Sequence, residues 1–214
     1  MERRPPEAAS LPEAIVRPPE FPARSASNAT VFWPVVFGVI AIDVVTKAIA
    51  VAMLAPQHVP HPLVGEAVRL TLVYNPGAAF GLYLGEHSRI IFTVLTLAAL
   101  GILWRLYRAT VPGDGRRTLA LALVCAGAIG NLIDRLRSSR GVVDFIDIGA
   151  TTWRWPTFNV ADMAVTSGAL LLALVLWRED RAAAREATAE SESRSATTAA
   201  PLPAPIVADQ REAS

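Results

Sequence analysis

The stretch FNVADMAVTSGALLLALVLW, residues 158–177, is an apolar run with a carboxylate, Asp162, at its entrance. It reaches the ~20 residues that cross ~30 Å of hydrocarbon as a helix. Three more apolar stretches approach that length, at 31–54, 89–108 and 117–137. With 52% hydrophobic and 18% charged residues and a mean hydropathy of +0.37, the 214-residue chain is too apolar for an ordinary soluble domain. The reading is an all-α membrane protein, a four-helix transmembrane bundle. No internal repeat is visible.

The composition also excludes classes of partner. A net charge of +1 gives no field for nucleic acid. Cys125 is the single cysteine, so no internal disulfide forms, and His58, His61 and His87 lack metal-ligand spacing. No metal is expected. Residues 1–28 carry arginines and prolines but no apolar core with a cleavage site, so they read as a disordered N-terminal tail and not as a signal peptide. Residues 29–180 form the membrane domain. From Arg181 to Ser214 the chain turns to Ala, Ser, Thr, Glu and Pro and reads as a second disordered tail.

Arginines set the orientation. Arg3, Arg4, Arg17 and Arg24 precede the first span; Arg105, Arg108, Arg116 and Arg117 flank the link between spans two and three; Arg178, Arg181 and Arg185 follow span four. Both termini and that link are therefore expected in the cytoplasm. The arginine-rich segment 135–140 argues the other way. The outer loops are then 55–88 and 138–157. Residues 67–74 have strand composition and end at Asn75-Pro76-Gly77, so a small extracytoplasmic β-sheet should rest on the bundle. Tyr83, Trp153 and Trp155 suit an interfacial aromatic belt.

Charged and amide side chains interrupt the spans. Asp43 and Lys47 are four apart and share a helix face. An internal ion pair and a support for a polar site both fit them. A Ser–Lys dyad would need a hydroxyl beside Lys47, and Thr46 points to another face. Asn131, Asp134 and Arg135 fall at i, i+3 and i+4, after the small residues Gly127, Ala128 and Gly130. They fit either polar glue between helices, with Asp134 pairing Arg135 or Lys47, or a face turned to substrate. Asn159 and Asp162 share the first turn of the last span, where the helix dipole favours an anion. Asp144 lies before Phe145 and Ile146, in a drier setting that raises a carboxyl pKa. Two such carboxylates brought together share a proton, and the pair can activate a water and donate to a carbonyl, as aspartic proteases do.

Five blocks, Asp43-Val44-Val45-Thr46-Lys47, Asn75-Pro76-Gly77-Ala78-Ala79-Phe80-Gly81, Gly130-Asn131-Leu132-Ile133-Asp134-Arg135, Val142-Val143-Asp144-Phe145 and Phe158-Asn159-Val160-Ala161-Asp162, occur in order. Together they resemble the motif set of bacterial lipoprotein signal peptidase (signal peptidase II) over about residues 31–180. The resemblance implies a four-span inner-membrane aspartic endopeptidase with no cofactor. The family cleaves diacylglyceryl-modified prolipoproteins on the amino side of the lipidated cysteine. Its catalytic pair matches Asp144 and Asp162. Asn75, Gly77, Asn131, Arg135 and Asn159 match positions around the substrate, and Asp43, Lys47 and Asp134 match structural support. Ala126 stands where the family often has glycine. A monomer among membrane lipid is expected, with its site near the outer face. The competing reading is a small channel or transporter, whose polar residues would spread through the membrane depth.

Overall fold

The computed structural model describes residues 27–77 and 85–198. Among the described residues, four helices are long and apolar enough to span a membrane: α1 (Ala29–Met53), α2 (Ser88–Ala109), α3 (Gly115–Arg137) and α4 (Val160–Thr198). Three strands, β1 (Pro60–Val64), β2 (Val68–Asn75) and β3 (Val142–Ile148), form one antiparallel sheet in the order β1-β2-β3. The expected bundle with a small sheet is present. The residues before 27 lie outside the described ones, as do Ala78–Gly81 of the turn motif and the aromatic Tyr83.

Helix α3 is the centre of the bundle, packed against α1, α2 and α4. Small residues make this possible, because Ala120, Ala122, Ala126, Gly127 and Gly130 leave room for neighbouring backbones. Ala126 is fully buried beside Phe32, Val36, Ala122 and Cys125, so alanine fills this position within a closed core. Outward faces are apolar, as lipid requires: Phe37, Ile91, Val94, Leu97 and Leu170 are exposed. Asn28 ties the two ends of the chain's first hairpin. Its amide donates to the Thr110 and Val111 carbonyls at 3.2 and 3.0 Å and accepts from Gly113 N–H at 3.0 Å. The start of α1 and the α2–α3 link therefore share one end of the bundle.

The sheet sits at the opposite end. Ala50 and Leu54 of α1 form a core with Leu72, Val143 and Phe145. Here the structure departs from the sequence reading in two places. Asp144 was expected in a loop; it lies in β3, paired opposite Val73. The run Val142–Ile148 is strongly β-prone, but its two aspartates hide the alternation. A disordered tail was expected from Arg181; α4 instead continues to Thr198, and residues 199–214 lie outside the described ones. Alanine, glutamate and arginine are strong helix formers, and a helix already nucleated in the membrane extends at little cost.

Close packing makes α3 sensitive to added volume. A Cβ at Gly127 would lie 2.2 Å from the Ala161 carbonyl oxygen, whereas one at Gly38 would meet nothing within 4 Å. Gly127→Ala should destabilise the detergent-solubilised protein by about 1–3 kcal/mol. Gly38→Ala should leave its melting temperature unchanged or slightly raised, since alanine is the better helix former. Equal melting of the two variants would show that α3 and α4 do not approach this closely.

Candidate active site

Two backbone connections bring the carboxylates together. On one edge β3 pairs with β2; on the other, Phe158 bridges to it. Phe145 and Ile146 donate to the Phe158 carbonyl at 3.0 and 2.8 Å, and Phe158 N–H donates to Ile146 at 3.0 Å. The next residue, Asn159, is thereby held against Asp144. Asn159 also starts α4, since its carbonyl accepts from Met163 N–H at 3.2 Å. Asn159 Oδ1 accepts from Asp162 N–H at 3.0 Å, and Asp162 Oδ2 accepts from Asn159 N–H at 3.2 Å. This reciprocal pair is a capping box. It fixes Asp162 on the first turn with its carboxylate near the positive helix end.

Asparagines then orient both acids. Asn159 Nδ2 donates to Asp144 Oδ1 at 2.7 Å, and Asn75 Nδ2 donates to Asp144 Oδ2 at 3.2 Å. Asn75 Oδ1 accepts from Gly77 N–H at 3.0 Å, in a turn where Gly77 has φ +118. Asn131 Nδ2 donates to Asp162 Oδ1 at 2.8 Å. Asn131 Oδ1 accepts from Asn159 Nδ2 at 3.1 Å and from Lys47 Nζ at 3.0 Å. An ammonium only donates, so Lys47 forces the Asn131 oxygen towards itself and the amide nitrogen towards Asp162.

Lys47 also lies 2.8 Å from both Asp43 and Asp134. Each of these acids holds a backbone N–H. Asp134 accepts from Val143, the residue before Asp144, at 3.2 Å; Asp43 accepts from Ala161, the residue before Asp162, at 2.9 Å. The Asp43–Lys47 spacing on one helix face and the closeness of Asp134 to Lys47 thus have a geometric consequence. One ammonium, through two carboxylates, sets the backbone on both sides of the acid pair.

Asp144 and Asp162 line one cavity of about 310 Å³ with Asn75, Arg135, Trp155 and Thr166. Asp144 is 3% exposed. Burial pushes its pKa up to about 7, and the Asp162 charge adds to this; hydrogen bonds from Asn75 and Asn159 and the Lys47 charge pull it back. Arg135 reaches the cavity from α3. Its guanidinium lies 5.8 Å from the Phe92 ring centroid and donates to the Asn131 carbonyl at 3.3 Å. Its Nε is buried without a hydrogen-bond partner among the described residues.

Sequence reasoning passed over Asp147. Burial would raise its pKa, but hydrogen bonds from Arg154, Arg69 and Thr71 outweigh this and hold it below the usual carboxylate range. Arg69 Nη2 lies 2.9 Å and Thr71 Oγ1 3.0 Å from Asp147 Oδ2, and Arg154 Nε binds Oδ1. Arg154 also donates to the Glu66 carbonyl at 3.0 Å, which ties residues 149–157, with Trp155, to the sheet. The signal was Arg69 and Thr71, two apart on one strand face, but their partner is defined only by the β2–β3 register.

The sequence model of a family described as signal peptidase (SPase) II matches residues 35–178. The chain belongs to the signal peptidase II family. Among its relatives, the lipoprotein signal peptidase of Mycobacterium avium (strain 104) is 39% identical over 142 residues, covering 64% of this chain and 73% of that protein. The lipoprotein signal peptidase of Syntrophotalea carbinolica is 40% identical over 143 residues, covering 66% of this chain and 87% of that protein. A solved bacterial membrane enzyme, determined by the in meso method, superposes with a TM-score of 0.66 at 27% identity, over 74% of this chain and 94% of the other. In this signal peptidase II, the match spans the polar cluster from Asp43 to Asp162.

The asparagine contacts generate a test. Asn75→Ala removes a donor that favours the Asp144 anion. Its peptidase rate should fall on the order of tenfold to a hundredfold, the value of a hydrogen bond to a charged group. The alkaline limb of its pH–rate profile should move to higher pH, because the Asp144 pKa rises further. A lowered rate with an unmoved limb would place Asn75 outside the electrostatics of Asp144.

Proposed function

We propose that Asp144 and Asp162 are the catalytic pair of this membrane peptidase. The family and its relatives make the chain a lipoprotein signal peptidase, acting on prolipoproteins. The observation that carries the residue assignment is Asn159, which donates to both carboxylates, from its side-chain amide to Asp144 and from its backbone N–H to Asp162, while burial raises the Asp144 pKa to about 7. The pair shares one proton, with Asp144, its pKa raised by burial, as the acid and Asp162 as the base. Asp162 takes a proton from water as its oxygen attacks the scissile carbonyl carbon, and Asp144 hydrogen-bonds the carbonyl oxygen. As the C–N bond breaks, the pair returns a proton to the leaving amine. Water is consumed and the dyad ends with the single proton it began with.

The substrate reading is a diacylglyceryl-modified prolipoprotein cut on the amino side of its lipidated cysteine. It enters from the bilayer, with its acyl chains left in lipid and its cleavage site extended beside Gly77 and the loop over the site. Asn75, Asn131, Arg135 and Asn159 surround that stretch, with Asn131 and Asn159 also orienting the acids. Asp43, Lys47 and Asp134 hold the frame. Residues 29–180 are the catalytic domain, working as a monomer. Both termini lie in the cytoplasm and the site lies near the outer face. The arginines at 105–117 and after 177 support this, because they mark the end of the bundle opposite the sheet. A channel is not favoured: the amides and carboxylates gather at one end of the bundle instead of along its depth.

Cleavage of a synthetic diacylglyceryl-modified prolipoprotein tests the reading. Wild type should cleave it, Asp144→Asn and Asp162→Asn should be inactive yet folded, and Asp134→Asn should retain measurable activity. An active Asp144→Asn beside an inactive Asp134→Asn would transfer the catalytic role to Asp134. The pH–rate profile should be bell-shaped. Its alkaline limb should fall near pH 7, where Asp144 loses the shared proton, and its acidic limb should mark uptake of a second proton by the pair. A rate flat across that range would rule out proton sharing.

A further inference from the structure

The arginines of segment 135–140 at the site end of the bundle contradict the orientation that the rest of the chain supports, and of these only Arg135 lines the cavity of the acid pair. Arg137 and Arg140 are exposed, and Arg89 donates to the Ser138 carbonyl at 3.2 Å. Arg140 lies 4.1 Å from the Tyr74 ring centroid. None of the three makes an ion pair among the described residues. Arg137 and Ser138 border a crevice of about 390 Å³ between α1 and the end of α3. Val44, Ala48 and Val51 form its apolar wall, at i, i+4 and i+7 on α1. That stripe rises roughly 10 Å along the helix and ends at the arginines. Lys47 and Asp134 close the back of the crevice, 2.8 Å apart.

We infer that this crevice binds an anionic phospholipid, with an acyl chain along Val44, Ala48 and Val51 and its phosphate at Arg137, flanked by Arg89 and Arg140. The outer-leaflet placement rests on the orientation proposed above. The combination selects this occupant. A diacylglyceryl group carries no phosphate and would leave the arginines unused. An acidic peptide would leave the apolar stripe unused. A phospholipid offsets the exposed cations that the orientation rule disfavours on this side, with about 1 kcal/mol for each arginine near an anionic headgroup.

Native mass spectrometry of the full chain in neutral detergent, titrated with phosphatidylglycerol or phosphatidylcholine, tests the site. The tightest adduct should form with phosphatidylglycerol. It should weaken by about fivefold per arginine removed in Arg137→Gln and Arg140→Gln, and persist in an Arg105→Gln, Arg108→Gln control. Equal binding of the two lipids would overturn the proposal. So would an adduct lost with the Arg105 and Arg108 pair and kept without Arg137 and Arg140. Prolipoprotein cleavage by the same wild-type sample is scored separately. An inactive sample with selective, Arg137-dependent lipid binding would refute the peptidase reading and leave the lipid site standing.

Discussion

An ammonium inside a membrane helix must be fully satisfied or it destabilises the protein that carries it. Lys47 is 3% exposed, and its neighbour Asp43 is fully buried. Three acceptors surround Lys47, on α1 and α3, and each has a second contact in the site. Asp43 holds the start of α4, Asp134 holds β3, and Asn131 holds Asp162. Removing one member of a buried charge cluster typically destabilises by 3–5 kcal/mol. Satisfying the cation and aligning the acids are therefore one physical requirement. The geometry of the active site is coupled to the integrity of the bundle, and the site is formed before any substrate arrives.

Much of this was legible in the sequence. Apolar length alone announces four spans, and the i, i+4 spacing of Asp43 and Lys47 puts them on one face, where they pair. The strand composition of residues 67–74 marks β2. Other features were hidden because they depend on contacts between distant segments. Asp144 reads as a loop residue, since the strand around it is defined by pairing with β2 and by the Phe158 bridge. The position of Asp147 emerges only from register. Asn159 reads as one more polar residue near a helix start, yet it caps α4 and contacts both acids. The extension of α4 past Arg181 was obscured because a polar segment resembles a tail when its continuity with a membrane helix is ignored.

The sheet has its own division of labour. Asp144 and Asp147 are three residues apart on β3, so they face opposite sides. Asp144 is held by amides, without a cation in direct contact among the described residues, and burial raises its pKa to about 7. Asp147 is held by Arg69 and Arg154 and stays charged. Similar local sequence thus gives two carboxylates of different character, one with a raised pKa and one that fastens the segment bearing Trp155. Environment, not residue type, makes the distinction.

Helix α4 runs from Val160 to Thr198, 39 residues. At the standard rise that is roughly 58 Å, against the ~30 Å of a bilayer core. About half of the helix therefore projects beyond the lipid as a stiff rod in register with the turn that carries Asp162 at its other end. A soluble protein fused in helical phase to that rod would inherit its orientation. Such a rigid fiducial would give this small membrane enzyme a feature large enough to align in images of single particles.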